Sequence, residues 1–386
     1  MKTQIRMIAL LFAFISINTS AMNMGGDKAQ TKVVMNRALN SFVNLFPYIH
    51  DGSKFSDKSN EEYINSQLDT IIKAFKTAKH TTRLDVVVFK PSLETIQTHL
   101  ADTKDAFNSK HKMFARNRLQ ALSGLCMSCH TQLKKQSSNR FNLSLQKIKR
   151  DSFDKDLEYA DFLFLLRDYT SSARYFEKVL TKYALTKKDV SSDDYRKALQ
   201  RLITINMKIS YKPERALQYL EKYGKDKTLP LLLREDFIDW RDQITAMSKS
   251  YKSWVLTNGE ELRNFEKKNL VSIEEASLGD GSKDMVLLAA SGVLTKFLNL
   301  RPKSPEAPRA LYWLGVAERR LSFNFFYSLG ELYLKECVTE FKKHPYAKKC
   351  LGEYENMLRF GYSGSGGEAL PDDEKKELEK LKSLLK

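Results

Sequence analysis

Residues 126–130 read Cys-Met-Ser-Cys-His, an order of side chains suited to holding a haem covalently. Two thiols three positions apart lie on one face of a helical turn, so both can add to the vinyl groups of a haem, and the histidine that follows is then set under the iron. The reading assigns Cys126 and Cys129 to the thioether bonds of one haem c and His130 to the proximal position on its iron. Two other chemistries use a Cys-x-x-Cys pair. A thioredoxin-like redox site opens a helix after a strand, whereas this pair falls deep inside a helical pattern. Half of a zinc site needs a second ligand pair, and the remaining cysteines, Cys337 and Cys350, lie about two hundred residues on with a different spacing.

The elements that must hold the motif follow from apolar periodicity, which is helical nearly throughout. A first helix over about 28–48 carries Val34, Met35, Ala38, Leu39, Phe42, Val43 and Phe46 at steps of three and four, and Pro47 and Asp51-Gly52 close it. A second, about 60–79, has Ile64, Leu68, Ile71, Ile72 and Phe75 on one face. Pro91-Ser92 start a third with Leu93, Ile96, Leu100 and Phe107, and a fourth over about 112–135 turns Phe114, Leu119, Leu122, Cys126, Cys129 and Leu133 inward. The run Leu84–Phe89 is the one strand candidate, read as an extended connection. Four amphipathic helices with short connections predict an up-down-up-down bundle over residues 25–140.

A haem motif in the last third of the fourth helix, in the run Leu122-Ser-Gly-Leu-Cys126-Met-Ser-Cys129-His130-Thr-Gln-Leu-Lys134, resembles the cytochrome c prime family, the class II c-type cytochromes. The resemblance covers under a third of the chain and implies a four-helix haem domain. A basic residue four positions after the haem histidine is a family feature, met here by Lys134, although Arg is its more usual occupant. The family places its distal residue on the first helix, where a methionine gives a six-coordinate electron carrier and a non-ligating side chain leaves the iron open to small gases. In an antiparallel arrangement Met35 lies level with His130 and is the expected distal ligand. His80 and His99 are competing donors, whereas His50 and His111 fall at the opposite end. Lys32, Arg37 and Arg83 are near enough in this scheme to meet the haem propionates.

From about residue 152 the helical pairs change character. Ala160, Tyr169, Ser172 and Phe176 reproduce the small–aromatic–small–aromatic spacing of a tetratricopeptide helix pair, and Ala216 and Leu220 repeat its second part after Pro213. Phe297–Pro305 with Ala307, Ala310 and Trp313 resembles a tetratricopeptide repeat junction, echoed from Phe341 to Ala347, with Leu321–Gly330 inserted between them. Residues 152–360 are therefore expected to form a tetratricopeptide-like solenoid, whose concave face holds a peptide or protein. Cys337 and Cys350 flank the His344-Pro345 turn of two neighbouring helices and are expected to form a disulfide. No catalytic set accompanies His344, the only histidine in that stretch, so enzymatic activity is not expected beyond the weak peroxidase activity of an open haem. Residues 361–386 read as a flexible Gly-Ser linker and a short charged helix.

Lys2, Arg6, the apolar run Met7–Ile17 and the small residues Thr19-Ser20-Ala21 read as a cleaved signal peptide, residues 1–21, and predict a periplasmic protein without a transmembrane segment. Residues 22–150 hold 21 Lys and Arg against 10 Asp and Glu, a net +11, and residues 151–386 hold 41 against 37. A basic haem half steers an acidic redox partner, or the surface of an anionic membrane, toward the iron; no nucleic-acid motif is present. The expectation is an all-α periplasmic monohaem c-type cytochrome working in one-electron transfer, its helical repeats docking a partner. Binding or sensing of NO or CO at five-coordinate iron, and a scaffold in which haem is structural, are the alternatives.

Overall fold

Helical periodicity becomes helix almost everywhere in the computed structural model, which describes residues 33–49, 51–78, 90–131, 149–186, 190–251, 254–273, 281–321, 325, 329–364 and 367–386. These residues are predominantly α-helical, with a single pair of two-residue strands among them. The signal-like segment 1–21, the extended run 84–89, and Lys32, His50, His80, Arg83 and Lys134 lie outside the described residues. The chain divides into two units, Met1–Leu122 and Ser123–Lys386.

The first unit contains α1 (33–49), a short α2 (Gly52–Ser56), α3 (Glu61–Ala78), α4 (Lys90–Asn108) and the start of α5 (Lys112–Thr131). Asp51 caps α2 by accepting from the N–H groups of Ser53 and Lys54 at 2.9 and 3.0 Å. Glu61 and Glu62 place negative charge at the positive end of α3. Each long helix buries one stripe: Val34, Ala38, Phe42, Leu45 and Ile49 on α1; Ile64, Leu68, Ile71 and Phe75 on α3; Leu93, Ile96, Leu100 and Phe107 on α4; Ala115, Leu119 and Leu122 on α5. Burying a large apolar side chain of this kind stabilises by about 1.5–3 kcal/mol. Neighbours run antiparallel. Asn44 of α1 donates to Gln67 of α3 at 3.2 Å, and Tyr48 packs with a tilted ring against the earlier α3 residue Tyr63, centroids 5.5 Å apart. Gln97 of α4 donates to the Phe75 carbonyl at 2.7 Å, and further along α4 Lys104 pairs with the earlier α3 residue Asp69.

The first helix ends within a residue of its expected bound, running through Pro47 to residue 49; in the last turn the proline costs only the bond its missing N–H would make. At the helix end the Ile49 carbonyl, which has no intrahelical partner, accepts from Arg116 Nε at 2.7 Å and Gln120 Nε2 at 3.3 Å. Phe114 is not inward but 56% exposed, with the Arg118 guanidinium over its ring at 5.7 Å. One position along, Ala115 occupies the buried stripe, because steps of four and three from residue 115 reach Leu119 and Leu122.

The second unit follows with α6 (Asp156–Leu165), α7 (Tyr169–Thr186), α8 (Ser192–Thr204), α9 (Pro213–Tyr223), α10 (Leu231–Tyr251), α11 (Gly259–Phe265), α12 (Asp284–Leu300), α13 (Ala307–Arg320), α14 (Gly330–Glu340), α15 (Pro345–Gly361) and α16 (Asp372–Ser383). The helices α6 and α7, α7 and α8, α9 and α10, and then α12 through α15 in order, pack against their neighbours in sequence, and α13 also meets α15. Small residues set the closest approaches. Ala160 and Ser172 are buried where α6 meets α7, and Ser172 Oγ donates to the Ala160 carbonyl at 2.8 Å. A Cβ on Gly315 would stand 2.7 Å from Leu334 Cγ, so α13 and α14 pack through the absence of a side chain. Cys337 of α14 and Cys350 of α15 are disulfide-bonded, with Cα atoms 6.2 Å apart. The stretch read as a flexible linker instead forms an antiparallel hairpin, Ser363–Gly364 with Gly367–Glu368, in which Gly367 takes φ +100°. Glycine and serine are the composition of a tight turn as much as of a linker. The charged helix α16 buries Leu378 and Leu381, and its Glu374 accepts from Tyr354 OH of α15 at 3.3 Å.

Candidate functional site

The helix that carries Cys126, Cys129 and His130 starts after Lys110, whose φ of 66° turns the chain out of α4. From there α5 is unbroken to Thr131, so all five motif positions have helical backbone. The side chains of residues 123–131 lie outside the described residues. By register, the buried stripe Ala115, Leu119, Leu122 continues in steps of four and three to positions 126 and 129, with position 130 four residues after 126. Positions 126, 129 and 130 thus stand at i, i+3 and i+4 of one helix, the first two on the line of its apolar stripe. This spacing fits a covalently held haem: two attachment points one turn apart and a nitrogen donor beside them.

Of the other sequence-selected residues, Met35 is half-buried at the margin of the α1 stripe, whose centre is Val34 and Ala38, and Arg37 is exposed. His99 is buried, but its ring is committed elsewhere. The Arg118 carbonyl, 2.6 Å from His99 Nε2, can only accept, so Nε2 carries the proton. Thr103 Oγ1 donates to the His99 carbonyl at 2.6 Å, and Arg118 Nη2 binds Asp102 at 2.9 Å. Burial pushes the His99 imidazole below its ordinary value, with the Arg118 carbonyl acting in the opposite direction. Arg118 precedes position 130 by twelve residues, about 18 Å of helix, which removes His99 from the competing iron donors. His111 is exposed.

Two groups of buried charges in the second unit escaped the sequence reading, and both come from π-helical turns. The segment Ile205–Ile209 continues α8 as a π-helix and carries Lys208, whose Nζ lies 3.0 Å from Glu318 Oε1 of α13, with side chains 0% and 1% exposed. The second Glu318 oxygen accepts from the Leu329 N–H at 3.0 Å. The π-helix Glu266–Leu270 after α11 carries Glu266, which takes Trp313 Nε1 at 2.8 Å and also binds Arg309 and the Tyr346 hydroxyl. Burial and this carboxylate push the Tyr346 hydroxyl up. A π-turn rotates its residue inward, out of the helical register that sequence periodicity reads. The available signal was a lone cation, Lys208, in the otherwise uncharged run Leu202–Ser210. Both groups hold α13 in place. Among the described residues no three His, Cys, Asp or Glu side chains converge as a metal site, and no helix is long and apolar enough to cross a membrane.

No family model matches the chain, and no curated protein or solved structure is detectably similar to it.

Proposed function

We propose that the protein is an exported monohaem c-type cytochrome that transfers single electrons and docks a protein partner through a tetratricopeptide-like helical scaffold. Cys126 and Cys129 hold the haem and His130 is its proximal ligand. The observation that carries this reading is the unbroken helix through Cys126-Met-Ser-Cys129-His130, with both cysteine positions on the continuation of the buried stripe of α5. The haem supplies a one-electron iron couple; the chain's part is to bind it, keep water from it and fix both axial positions. The antiparallel pairings of α1 with α3, α3 with α4 and α4 with α5 support a four-helix haem bundle of the cytochrome c prime kind. Consecutive packing of α12 to α15, with small residues at the crossings, supports the repeat scaffold.

Met35 is the proposed distal ligand. Where Arg116 and Gln120 meet the Ile49 carbonyl, α1 and α5 are level. Fourteen residues back along α1, about 21 Å, is Met35, and the same run along α5 ends at the haem histidine's turn. Lys32, Arg37, Arg83 and Lys134 are assigned to the surroundings of the haem propionates. A second reading has its own observation: Val34 and Ala38, not Met35, sit at the centre of the buried stripe. Apolar residues there would leave the iron five-coordinate and open to NO or CO. Absorption spectra of the mature holoprotein, ferric and ferrous, with and without carbon monoxide, decide between them. A low-spin spectrum whose sulfur-to-iron band disappears in Met35→Ala supports the electron carrier. A high-spin spectrum that shifts readily with carbon monoxide rejects Met35 and supports gas binding.

A further inference from the structure

The basic surplus of the first unit is gathered at one end of its helices. Residues 42–69 and 100–121, which form the end where α1 and α4 finish and α3 and α5 begin, hold 7 Lys and Arg against 7 Asp and Glu. Residues 33–41, 70–78 and 90–99, the described residues of the other end, hold 4 against 1. Pairing follows the same division. At the neutral end Lys54 lies 3.7 Å from Asp51, Lys112 is 3.7 Å from Glu61, Arg118 is 2.9 Å from Asp102, and Lys104 pairs with Asp69. At the opposite end Arg37, Lys73 and Lys76 are exposed and make no ion pair among the described residues. This is the end toward which α5 runs, and Cys126 follows Leu122, the last residue of the unit, by four positions.

We propose that this end, marked by Lys73 and Lys76 of α3, is the docking surface for an acidic protein, the redox partner of the haem; this rests on the haem reading above. Unpaired cations around a redox centre raise the encounter rate with a negative surface and set its orientation, so that the partner meets the chain where the electron leaves. The exposed apolar residues argue for a protein over a bilayer. An interfacial membrane site sets large apolar side chains beside its cations. Here Tyr63, Met113 and Phe114 are exposed at the neutral end, whereas at the basic end only Val33 is, among the described residues.

Two double variants of the full mature chain change net charge equally at opposite ends: Lys73→Glu/Lys76→Glu, and Lys58→Glu/Lys110→Glu, whose lysines are likewise exposed and without an ion pair among the described residues. The first probe is labelled poly-L-glutamate, whose binding is followed by fluorescence anisotropy at low salt and needs no iron. The first pair is expected to weaken binding about tenfold and the second by less than about twofold. The second probe is ferricyanide oxidation of the reduced protein, where the rate falls by a similar factor only in the first pair. Equal losses in both pairs overturn the proposal. So does tighter binding to phosphatidylserine vesicles that poly-L-glutamate fails to displace, which would make the occupant a membrane. A chain that carries no haem but keeps the difference between the pairs would overturn the functional reading, not the position of the surface.

Discussion

Replacing Lys208 by methionine should destabilise the second unit by about 3–5 kcal/mol, because it leaves a carboxylate buried without its counter-charge. Lys208 Nζ and Glu318 Oε1 are 3.0 Å apart with both side chains out of solvent. At that separation the attraction is of order 5 kcal/mol for an effective dielectric near 20, and it offsets a desolvation cost of similar size. Burial pushes the Lys208 ammonium below the usual lysine range, and the Glu318 carboxylate pushes it back. Once the lysine is gone, the Leu329 N–H still serves the carboxylate but brings no counter-charge. Thermal unfolding by circular dichroism should register the loss as a midpoint lowered by roughly 6–20 °C, taking about 2–4 °C per kcal/mol for a unit of this size. The variant Lys208→Met/Glu318→Leu removes both charges and leaves the Leu329 N–H unpaired, a cost of about 1–3 kcal/mol. It should therefore recover about 2 kcal/mol over the single change. A single variant within about 1 kcal/mol of the parent, or a double variant no better than the single, would refute the argument that desolvation and attraction nearly cancel here.

Three further outcomes follow from local geometry. Burial lowers the folded value of His99 below the ordinary histidine value of about 6.5; the unfolded chain then binds the proton first, so the stability this neutral histidine preserves is lost as pH falls below that ordinary value, by at most about 1.4 kcal/mol per pH unit. Melting points at neutral and mildly acidic pH should show this slope in the parent and a shallower one in His99→Gln, which keeps an N–H for the Arg118 carbonyl. Gly315→Ala puts a methyl 2.7 Å from Leu334 Cγ and 3.2 Å from the Gly330 carbonyl; urea unfolding should show a loss of about 1–3 kcal/mol from overpacking, and an unchanged midpoint would contradict the close crossing. Cys337→Ser/Cys350→Ser releases a loop spanning a sequence separation of 13, and denaturant unfolding should register a loss of roughly 3 kcal/mol, absent if the thiols are free in the purified protein.

Where a residue's role follows from helical spacing and apolarity, it was legible in the sequence. The stripe of α4 was read at Leu93, Ile96, Leu100 and Phe107 and that of α3 at Ile64, Leu68, Ile71 and Phe75, though not at Ile72, which is half-buried; Ala160, Tyr169, Ser172 and Phe176 are all buried. Phe114 was misread because an aromatic one step off the stripe looks inward by composition, while the geometry gives the stripe to Ala115. Leu45 and Ile49 were missed because Val43 and Phe46, both only half-buried, were chosen for the stripe, whereas steps of three and four from Phe42 reach Leu45 and Ile49. The hairpin after α15 was hidden by a composition shared with linkers. Lys208 and Glu266 were out of reach for a different reason. Their burial depends on π-turns and on partners 110 and 47 residues away in sequence, which no local pattern encodes. The motif at 126–130 was legible because its chemistry depends on spacing alone.

Covalent haem attachment is the central claim, and the intact mass of the mature protein, produced together with a c-type haem maturation system, tests it most directly. The account predicts a mass greater than that of the mature polypeptide by one haem, retained under denaturing conditions and absent from Cys126→Ala/Cys129→Ala. A polypeptide mass without haem, or haem that stays bound in the double variant, would contradict it.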